Sequence, residues 1–201
     1  MTVPVFTIVT SNANKAREVA AFFAGTATVR HVALEIPELR SDDVAVIARE
    51  KARYAFGVLH EPLIVDDTAF AIDALHGFPG PYAAYVLKAI GNQGILRLME
   101  GIANRGAGFT TAIAYADSTG LYDFSGTIRG TITTAPRGSA GFGYDPIFEV
   151  AGRTLAEIPL EEKSVISHRA RALAAFRDWY ADRQKQERTD SKQLRDRRTL
   201  L

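Results

Sequence analysis

Residues 5 to 23 have the sequence VFTIVTSNANKAREVAAFF, which begins as a strand and continues as a helix. The first six residues are mostly apolar and β-branched, as in a buried strand. A polar turn, residues 11–14, follows. Apolar residues then recur at the spacing of a helix face, at positions 16, 19, 20 and 23. The stretch therefore predicts a strand, a turn and a helix, with the turn at the carboxyl end of the strand.

The pattern continues as β-α-β-α-β. Residues 28–34 predict a second strand, residues 44–56 a helix that Gly57 ends, and residues 63–65 a third strand that ends at Asp66. This order is typical of the α/β class, a parallel or mixed sheet with helices on its faces.

The second half of the chain predicts two further helices and one long hairpin. A helix is expected over residues 82–99, with an interruption near Gly91, and a final helix over residues 161–181. The hairpin is formed by residues 109–116 and 121–134. Gly126 and Gly130 are candidates for bulges in its second strand.

Composition excludes several classes of function. The chain has 201 residues, a formal net charge of +1 and no cysteine. Disulfides, cysteine-ligated metals and thiol nucleophiles are therefore excluded. The even charge balance favours neither duplex nucleic acid nor a membrane surface as a partner. The N-terminus lacks the basic residues of a signal peptide, so we expect a cytoplasmic location.

The last nineteen residues differ from the rest by their charge. Residues 183–201 contain seven basic and three acidic residues. We predict one domain over residues 1–182 and a basic tail over residues 183–201, frayed or disordered. An anion-binding arm is the alternative interpretation of this tail.

The turn between the first strand and the first helix is a candidate phosphate site. It has the sequence TSNANK from Thr10 to Lys15. Free N–H groups at a helix N-terminus attract phosphate, and Lys15 adds a full positive charge. The spacing is not that of a P-loop. A plain polar turn that caps the helix is the alternative.

Carboxylates follow the second and third strands. Asp66 and Asp67 repel each other unless a cation or a proton lies between them, and Mg²⁺ prefers such oxygen ligands. Because successive side chains of a strand point to opposite sides, we expect Asp67 to reach the cleft and Asp66 to support it. Glu38, after Pro37, is a second candidate metal ligand. An Asx turn and a solvated glutamate are the respective alternatives.

Two later segments combine aromatic and charged side chains. Residues 141–146 are GFGYDP, in which two glycines allow close backbone approach and Phe142 and Tyr144 offer planar faces to a base. The alternative is a tight turn with core aromatics. Lys163 and Arg169 are donors only, so they would favour the carbonyl oxygen of a 6-oxo purine over the amino group of adenine. The alternative is a solvated basic helix face.

A Ser-His-Asp hydrolase is a further possibility that the sequence disfavours. Ser167 and His168 are consecutive on a predicted helix and point about 100° apart. The chain has no G-x-S-x-G motif.

The order of these motifs resembles the inosine triphosphate pyrophosphatase, or Ham1-like, family. The matching segments are T-x-N-x-x-K at 10–15, IPE at 36–38, VDDT at 65–68, G-x-PGPY at 77–82, GFGYDP at 141–146 and EK-x-x-x-SHR at 162–169. The resemblance covers residues 5–181. It implies a two-lobed α/β fold with a mixed sheet and a central nucleotide-binding cleft, and a homodimer.

The resemblance also implies an activity. A member of this family would hydrolyse deaminated purine nucleoside triphosphates (ITP, dITP and XTP) to the monophosphate and pyrophosphate, with Mg²⁺ as cofactor. Glu38 and Asp67 would hold the metal ion, and Asp67, Lys51 and Lys15 would be catalytic. The substrate-binding residues would be Thr10, Asn12, Lys15, Lys51, Thr68, Phe142, Tyr144, Asp145, Lys163, Ser167, His168 and Arg169.

One departure from the family pattern bears on the substrate. Ala83 and Ala84 stand where related enzymes carry a basic residue, and Lys88, one helical turn later, is a candidate replacement. Two alternatives therefore stay open. One is a related pyrophosphatase retuned to another modified or standard nucleotide. The other is a nucleotide-binding sensor without turnover.

Overall fold

A computed structural model describes residues 4–37 and 39–199, with residues 188 and 190–199 described by their backbone alone. The strands are Val5–Val9 (β1), Thr28–Val32 (β2), Leu63–Ile72 (β3), Pro79–Gly80 (β4), Gly106–Asp117 (β5), Gly120–Ile132 (β6), Phe148–Val150 (β7) and Arg153–Thr154 (β8). The helices are Ala13–Phe22 (α1), Val44–Leu59 (α2), Ala83–Leu98 (α3), Leu160–Ile166 (α4) and His168–Thr199 (α5). None of these described helices has the length and hydropathy needed to span a membrane.

The strands form one mixed sheet in the order β2-β1-β3-β5-β6-β7-β8, with β4 paired to β3. β1 is parallel to β2 and β3, as the β-α-β-α-β order predicts, and the remaining pairs are antiparallel. The predicted α/β class with a mixed sheet and flanking helices is confirmed.

Alternation along the strands divides the core between the two faces of the sheet. Ile64 packs with residues of α1 and α5, while its neighbours Leu63 and Val65 pack with α2. A third apolar cluster lies under α3, around Phe70 and Phe109. Helices therefore cover both faces of the sheet.

The prediction that the third strand ends at Asp66 is wrong. β3 continues to Ile72 because every residue from Leu63 to Ile72 pairs with β5. On its other edge, β3 pairs with β1 at Ile64 and with β4 at Phe70. The edge between these contacts carries Asp66, Asp67 and Thr68, and it faces the turn that follows β1.

Two helix boundaries also differ from the prediction. α2 passes through Gly57, an exposed position where glycine costs about 1 kcal/mol relative to alanine, and ends at Leu59, with His60 (φ 53°) as its C-cap. The predicted final helix is two helices, because Ser167 is extended (φ −70°, ψ 164°) and its hydroxyl accepts the N–H of Ala170. Such a serine is a helix N-cap.

The last helix is longer than predicted. α5 continues to Thr199, through the boundary expected at residue 183. Arg183, assigned to the tail, forms an ion pair with Asp117 of the domain (2.8 Å). The division into a domain of residues 1–182 and a tail of residues 183–201 stays a prediction.

The hairpin is confirmed, but its glycines are not bulges. β5 and β6 pair without interruption from Gly106 to Asp117. A Cβ atom on Gly126 would lie 2.2 Å from the carbonyl oxygen of His168. Gly126 therefore allows the start of α5 to lie directly against β6, which fixes the position of His168.

Candidate active site

Two adjoining cavities lie along the open edge of β3. The larger, of about 700 Å³, is lined by both aspartates, two lysines and the turn after β1. The smaller, of about 190 Å³, is lined by aromatic side chains and by donors from α4 and α5. The residues that line both cavities are Asn12, Lys15, Lys51, Asp67 and Ala84.

Most of the predicted site residues meet in these cavities. The structure places twelve of them along the cavity walls, although their roles stay predictions. They are Thr10, Asn12, Lys15, Lys51, Asp67, Thr68, Phe142, Tyr144, Asp145, Lys163, His168 and Arg169. Ser167 lines neither cavity, because its buried hydroxyl caps α5. Glu38 lies outside the described residues.

Asp66 and Asp67 occupy different environments, as the alternation along a strand predicts. The side chain of Asp67 is 14% exposed and that of Asp66 is fully buried. Burial raises the pKa of Asp67, against the opposing charges of Lys15 and Lys51. Burial alone would also raise the pKa of Asp66, but Lys15 and Arg169 together hold it below its ordinary value. Asp66 is therefore a fixed anion beneath the more accessible Asp67.

Two lysines converge on these carboxylates at the floor of the larger cavity. Lys51 Nζ lies 3.4 Å from Asp67 Oδ1, and Lys15 Nζ lies 4.0 Å from the same oxygen. Lys15 also lies 3.3 Å from Asp66 Oδ1. Each lysine is thus partly neutralised without substrate, and a polyphosphate would compete with Asp67 for both ammonium groups.

The described carboxylates fit a metal ion that is shared with a substrate. Oδ1 of buried Asp66 accepts no hydrogen bond from the described residues, although Lys15 Nζ lies 3.3 Å from it, and Asp67 lies beside it at the cavity floor. Among the described residues, no group of three or more His, Cys, Asp or Glu side chains could enclose a metal ion. Mg²⁺ commonly takes one or two carboxylates and completes its shell with water and phosphate. Exposed Glu35 lines the same cavity and is a carboxylate that the sequence analysis missed.

The turn after β1 is organised as a helix cap. Asn12 Oδ1 accepts the N–H groups of Asn14 (2.9 Å) and Lys15 (3.4 Å), and Thr10 Oγ1 accepts that of Asn12 (3.1 Å). The free N–H groups that we expected are therefore partly occupied, which corrects the prediction. The positive charge offered to a phosphate here comes mainly from the Lys15 side chain.

The 141–146 loop supplies one aromatic face to the smaller cavity. Phe142 is half-buried, with Lys163 Nζ 5.1 Å from its ring centroid. Tyr144 is 3% exposed, stacks on Phe70 and donates its hydroxyl to Ala83 O (2.8 Å). Tyr144 is therefore a core aromatic, which corrects its prediction as a stacking residue. The free planar face comes from Phe142.

Asp145 closes this loop and holds Lys163. Its Oδ2 accepts the N–H of Phe142 (2.7 Å) and lies 2.6 Å from Lys163 Nζ. Gly141 has φ 73°, and a Cβ there would lie 2.1 Å from Asp145 Oδ2. The glycine is thus required both by its backbone angle and by the closeness of the carboxylate.

A continuous network of charges connects the two cavities. Acids and bases alternate along it, four of each, so that the ionised network is neutral. In order of contact, its members are Asp145, Lys163, Glu18, Arg169, Asp66, Lys15, Asp67 and Lys51. A ligand at one end would therefore change the electrostatic environment of the other.

Glu18 was missed by the sequence analysis. It is 6% exposed on α1 and pairs with both Lys163 (2.6 Å) and Arg169. It lies one helical turn after Lys15, which places the two side chains on neighbouring parts of one helix face. That spacing was the only local feature of the sequence that could have indicated a role for Glu18. The guanidinium of Arg169 is already engaged within the protein, because it donates to Asp66, Glu18 and Thr68.

His168 is buried and neutral. Its Nδ1 lies 2.6 Å from Thr111 Oγ1, and its ring stacks on Phe109. Burial, together with the charges of Arg169 and Lys163, lowers the pKa of His168 well below its ordinary value. Thr111, which is fully buried, is a third residue that the sequence analysis missed.

Comparison with known proteins identifies the family. A sequence model of the Ham1 family matches residues 6–179. The chain belongs to the Ham1 family. This confirms the resemblance inferred from the order of the motifs.

Two curated relatives and one solved structure of the Ham1 family illustrate the similarity. The chain is 50% identical to a dITP/XTP pyrophosphatase of Methanopyrus kandleri over 76% of this chain and 82% of that protein. It is 43% identical to inosine triphosphate pyrophosphatase 1 of Trypanosoma cruzi over 85% and 89% of the two chains. A HAM1 protein from Coxiella burnetii superposes with a TM-score of 0.77 at 27% identity, covering 89% of this chain and 99% of that one.

In this Ham1-family chain, the kink in α3 anchors the 141–146 loop. Gly91 is non-helical (φ 62°, ψ −175°), and the next residue, Asn92, donates its amide to Gly143 O (3.0 Å). We expect Asn92→Ala to raise KM for the nucleotide by about three- to tenfold with little change in kcat, since one hydrogen bond is lost. Steady-state kinetics checks this. Gln93→Ala, at the exposed neighbouring position, is the control, and equal KM values for the two variants would contradict the anchoring role.

The buried His168 also predicts a pH-dependent stability. Its folded pKa lies below its ordinary value of 6.5, so below that pH the unfolded chain takes up a proton that the folded chain does not. Stability should therefore fall as the pH falls below 6.5, by about 1.4 kcal/mol per pH unit from this group. Urea unfolding between pH 7 and 5 measures it. His168→Gln should flatten the dependence, whereas His76→Asn, at an exposed position, should not. An equal slope in both variants would refute the assignment.

Proposed function

We propose that this chain hydrolyses deaminated purine nucleoside triphosphates, namely ITP, dITP and XTP, to the monophosphate and pyrophosphate in a Mg²⁺-dependent reaction. One observation carries the proposal: a donor-lined aromatic slot opens directly onto a floor of two carboxylates and two lysines. The names of the relatives, dITP/XTP pyrophosphatase and inosine triphosphate pyrophosphatase, support the same substrates.

The smaller cavity takes the base. Phe142 stacks on the ring, and Lys163 and His168 lie where an exocyclic carbonyl oxygen would need donors. An amino group in that place would leave those donors unpaired in a buried site, which is costly. Asp145 supplies the acceptor for a ring N–H. The arrangement favours hypoxanthine and xanthine over adenine.

The larger cavity takes the triphosphate. Lys15 and Lys51 neutralise phosphate oxygens, and their release from Asp67 on binding frees that carboxylate. Asp67, with Glu38, would hold Mg²⁺, which supplies charge neutralisation at the phosphates. Asp67 also accepts a hydrogen bond from the attacking water and orients it. Water adds to the α-phosphorus as its proton passes to Asp67, the bond from that phosphorus to the α,β-bridging oxygen breaks, and pyrophosphate leaves.

A retuned substrate range is the second candidate, and Ala84 motivates it. Ala84 lines both cavities at the position where related enzymes carry a basic residue. Lys88 is exposed and is not among the residues that line either cavity, so it does not replace that charge in this conformation. The alternative substrate is another modified or standard nucleoside triphosphate. Turnover of any nucleotide would exclude the sensor.

The proposal includes a homodimer and a cytoplasmic location. The family resemblance supports the homodimer, and the nucleotide substrates support the location. Sedimentation equilibrium of the purified chain measures the first directly, and a mass of one chain at micromolar concentration would contradict it.

The experiment is a substrate panel. Pyrophosphate release is measured with ITP, dITP, XTP, GTP, ATP and dTTP, each with and without Mg²⁺. We expect Mg²⁺-dependent release that is fastest with the first three nucleotides. A preference for ATP or dTTP would favour the retuned enzyme, and binding of ITP without any turnover would favour the sensor.

A further inference from the structure

A chain of hydrogen-bonding groups runs from Arg169 to His168 through two threonines. Arg169 Nη2 lies 3.2 Å from Thr68 Oγ1, and Thr68 Oγ1 lies 2.7 Å from Thr111 Oγ1. Thr111 Oγ1 lies 2.6 Å from His168 Nδ1. The threonines meet because they are directly opposed on β3 and β5, whose opposed side chains lie on one face of the sheet.

The direction of donation along this chain follows from its ends. Arg169 has no lone pair to offer, so Thr68 accepts from it. Thr111 is fully buried with two polar neighbours, and therefore donates to one and accepts from the other. If Thr111 donated to Thr68, Thr68 would accept two hydrogen bonds, and its own proton would be left to the smaller cavity, which Thr68 lines. If Thr68 donates instead, each hydroxyl accepts one hydrogen bond and donates one, so that the chain runs in a single direction from the guanidinium and each bond strengthens the next. The Thr111 hydroxyl then donates to His168 Nδ1.

This direction determines which nitrogen of His168 carries the proton. A neutral imidazole whose Nδ1 accepts a hydrogen bond is protonated at Nε2. The ring is held in plane by Phe109, with centroids 4.8 Å apart and 17° between the planes. No hydrogen bond within the described part of the chain engages Nε2, and His168 lines the smaller cavity. Nε2–H is thus a free donor.

We infer that Thr111, oriented by Thr68, holds His168 in the Nε2–H tautomer and thereby makes it select a base carbonyl over a base amino group. The other tautomer would present a lone pair at Nε2, which accepts a hydrogen bond from the amino group of adenine. Thr111 is therefore a positioning residue for specificity, although it does not line the cavity. This inference rests on the proposed function for its substrate, but the tautomer itself does not.

The tautomer is measured by ¹⁵N NMR of histidine-labelled protein without substrate. The chain has four histidines, and loss of one signal set in His168→Gln assigns that residue. We expect the wild type to carry the proton on Nε2. Thr111→Val removes the hydroxyl at nearly constant volume and should add the Nδ1–H form. Thr111→Ser keeps the hydroxyl and should keep the wild-type signals.

Steady-state kinetics of the same variants measures the effect of the tautomer on the selection of the base. In Thr111→Val, the ratio of kcat/KM for ITP to that for ATP should fall by about tenfold, the equivalent of one hydrogen bond. Thr111→Ser should restore it. Thr110→Val is the matched control, because Thr110 is the adjacent threonine and bonds Thr127 on the exposed side of the hairpin (2.9 Å). Thr110→Val should change neither the NMR signals of His168 nor the ratio of kcat/KM for ITP to that for ATP.

The possible failures are distinguishable. A proton on Nδ1 in the wild type would overturn the inference, even if Thr111→Val does not fold. An unchanged tautomer and an unchanged ratio in folded Thr111→Val would also overturn it. Absence of pyrophosphate release from ITP by the wild type would instead refute the proposed function, while the substrate-free NMR spectrum would still decide the role of Thr111.

Discussion

Asp67→Asn should lower kcat for ITP by at least about a hundredfold, the size of a lost acid-base or metal-positioning contact. The amide has the shape of the carboxylate but no charge, so it neither holds a cation nor accepts a water proton equally well. Because burial already disfavours the charged form of Asp67, we expect the free energy of unfolding to change by less than about 1 kcal/mol. Pyrophosphate release and urea unfolding measure the two effects.

The control for this variant is Asp123→Asn. Asp123 of β6 forms an exposed ion pair with Arg49 (2.9 Å), and neither residue is among those that line the two cavities. It should retain the wild-type rate. A wild-type rate in Asp67→Asn would remove Asp67 from the mechanism, whereas an unfolded variant would assign the residue to the stability of the charge network.

Arg169→Met should lower the free energy of unfolding by about 3–5 kcal/mol, because it leaves two buried carboxylates without their shared cation. Asp66 accepts from Arg169 Nε at 2.7 Å, and Glu18 pairs with Nη1. Methionine keeps much of the apolar length of the side chain, so the loss reflects charge rather than packing. Urea unfolding at neutral pH is the measurement.

Two further variants test whether this loss of stability comes from unpaired buried charges rather than from the loss of any ion pair. Adding Glu18→Gln to Arg169→Met should recover part of the loss, since one unpaired charge is removed with it. Arg49→Met, which breaks the exposed pair with Asp123, should cost less than about 1 kcal/mol. A similarly small cost for Arg169→Met, together with lost base selectivity, would show that Arg169 acts mainly on the base edge.

The sequence predicted the elements whose signals are local. The apolar strand before Thr10, the turn and the periodic helix follow each other within twenty residues, so the β1-α1 unit was predictable. The interruption of α3 at Gly91 was predictable for the same reason. Asp67 could be placed in the cleft because side chains alternate along a strand.

Other features depend on partners that are distant in sequence. Asp66 and Asp67 have low strand propensity, yet they stay in β3 because β5 pairs with every residue of it. Ser167 separates α4 from α5, although the segments on both sides of it favour a single continuous helix. Thr111 looks like any strand residue, and its role depends on Thr68 and His168.

Product analysis distinguishes hydrolysis at the α-phosphate from hydrolysis at the γ-phosphate. ITP is incubated with the protein and Mg²⁺, and the products are identified by ³¹P NMR. We predict IMP and pyrophosphate in equal amounts, because in the proposed reaction water attacks the α-phosphorus. IDP and orthophosphate would place the cleavage at the γ-phosphate and contradict the account, as would the absence of any product.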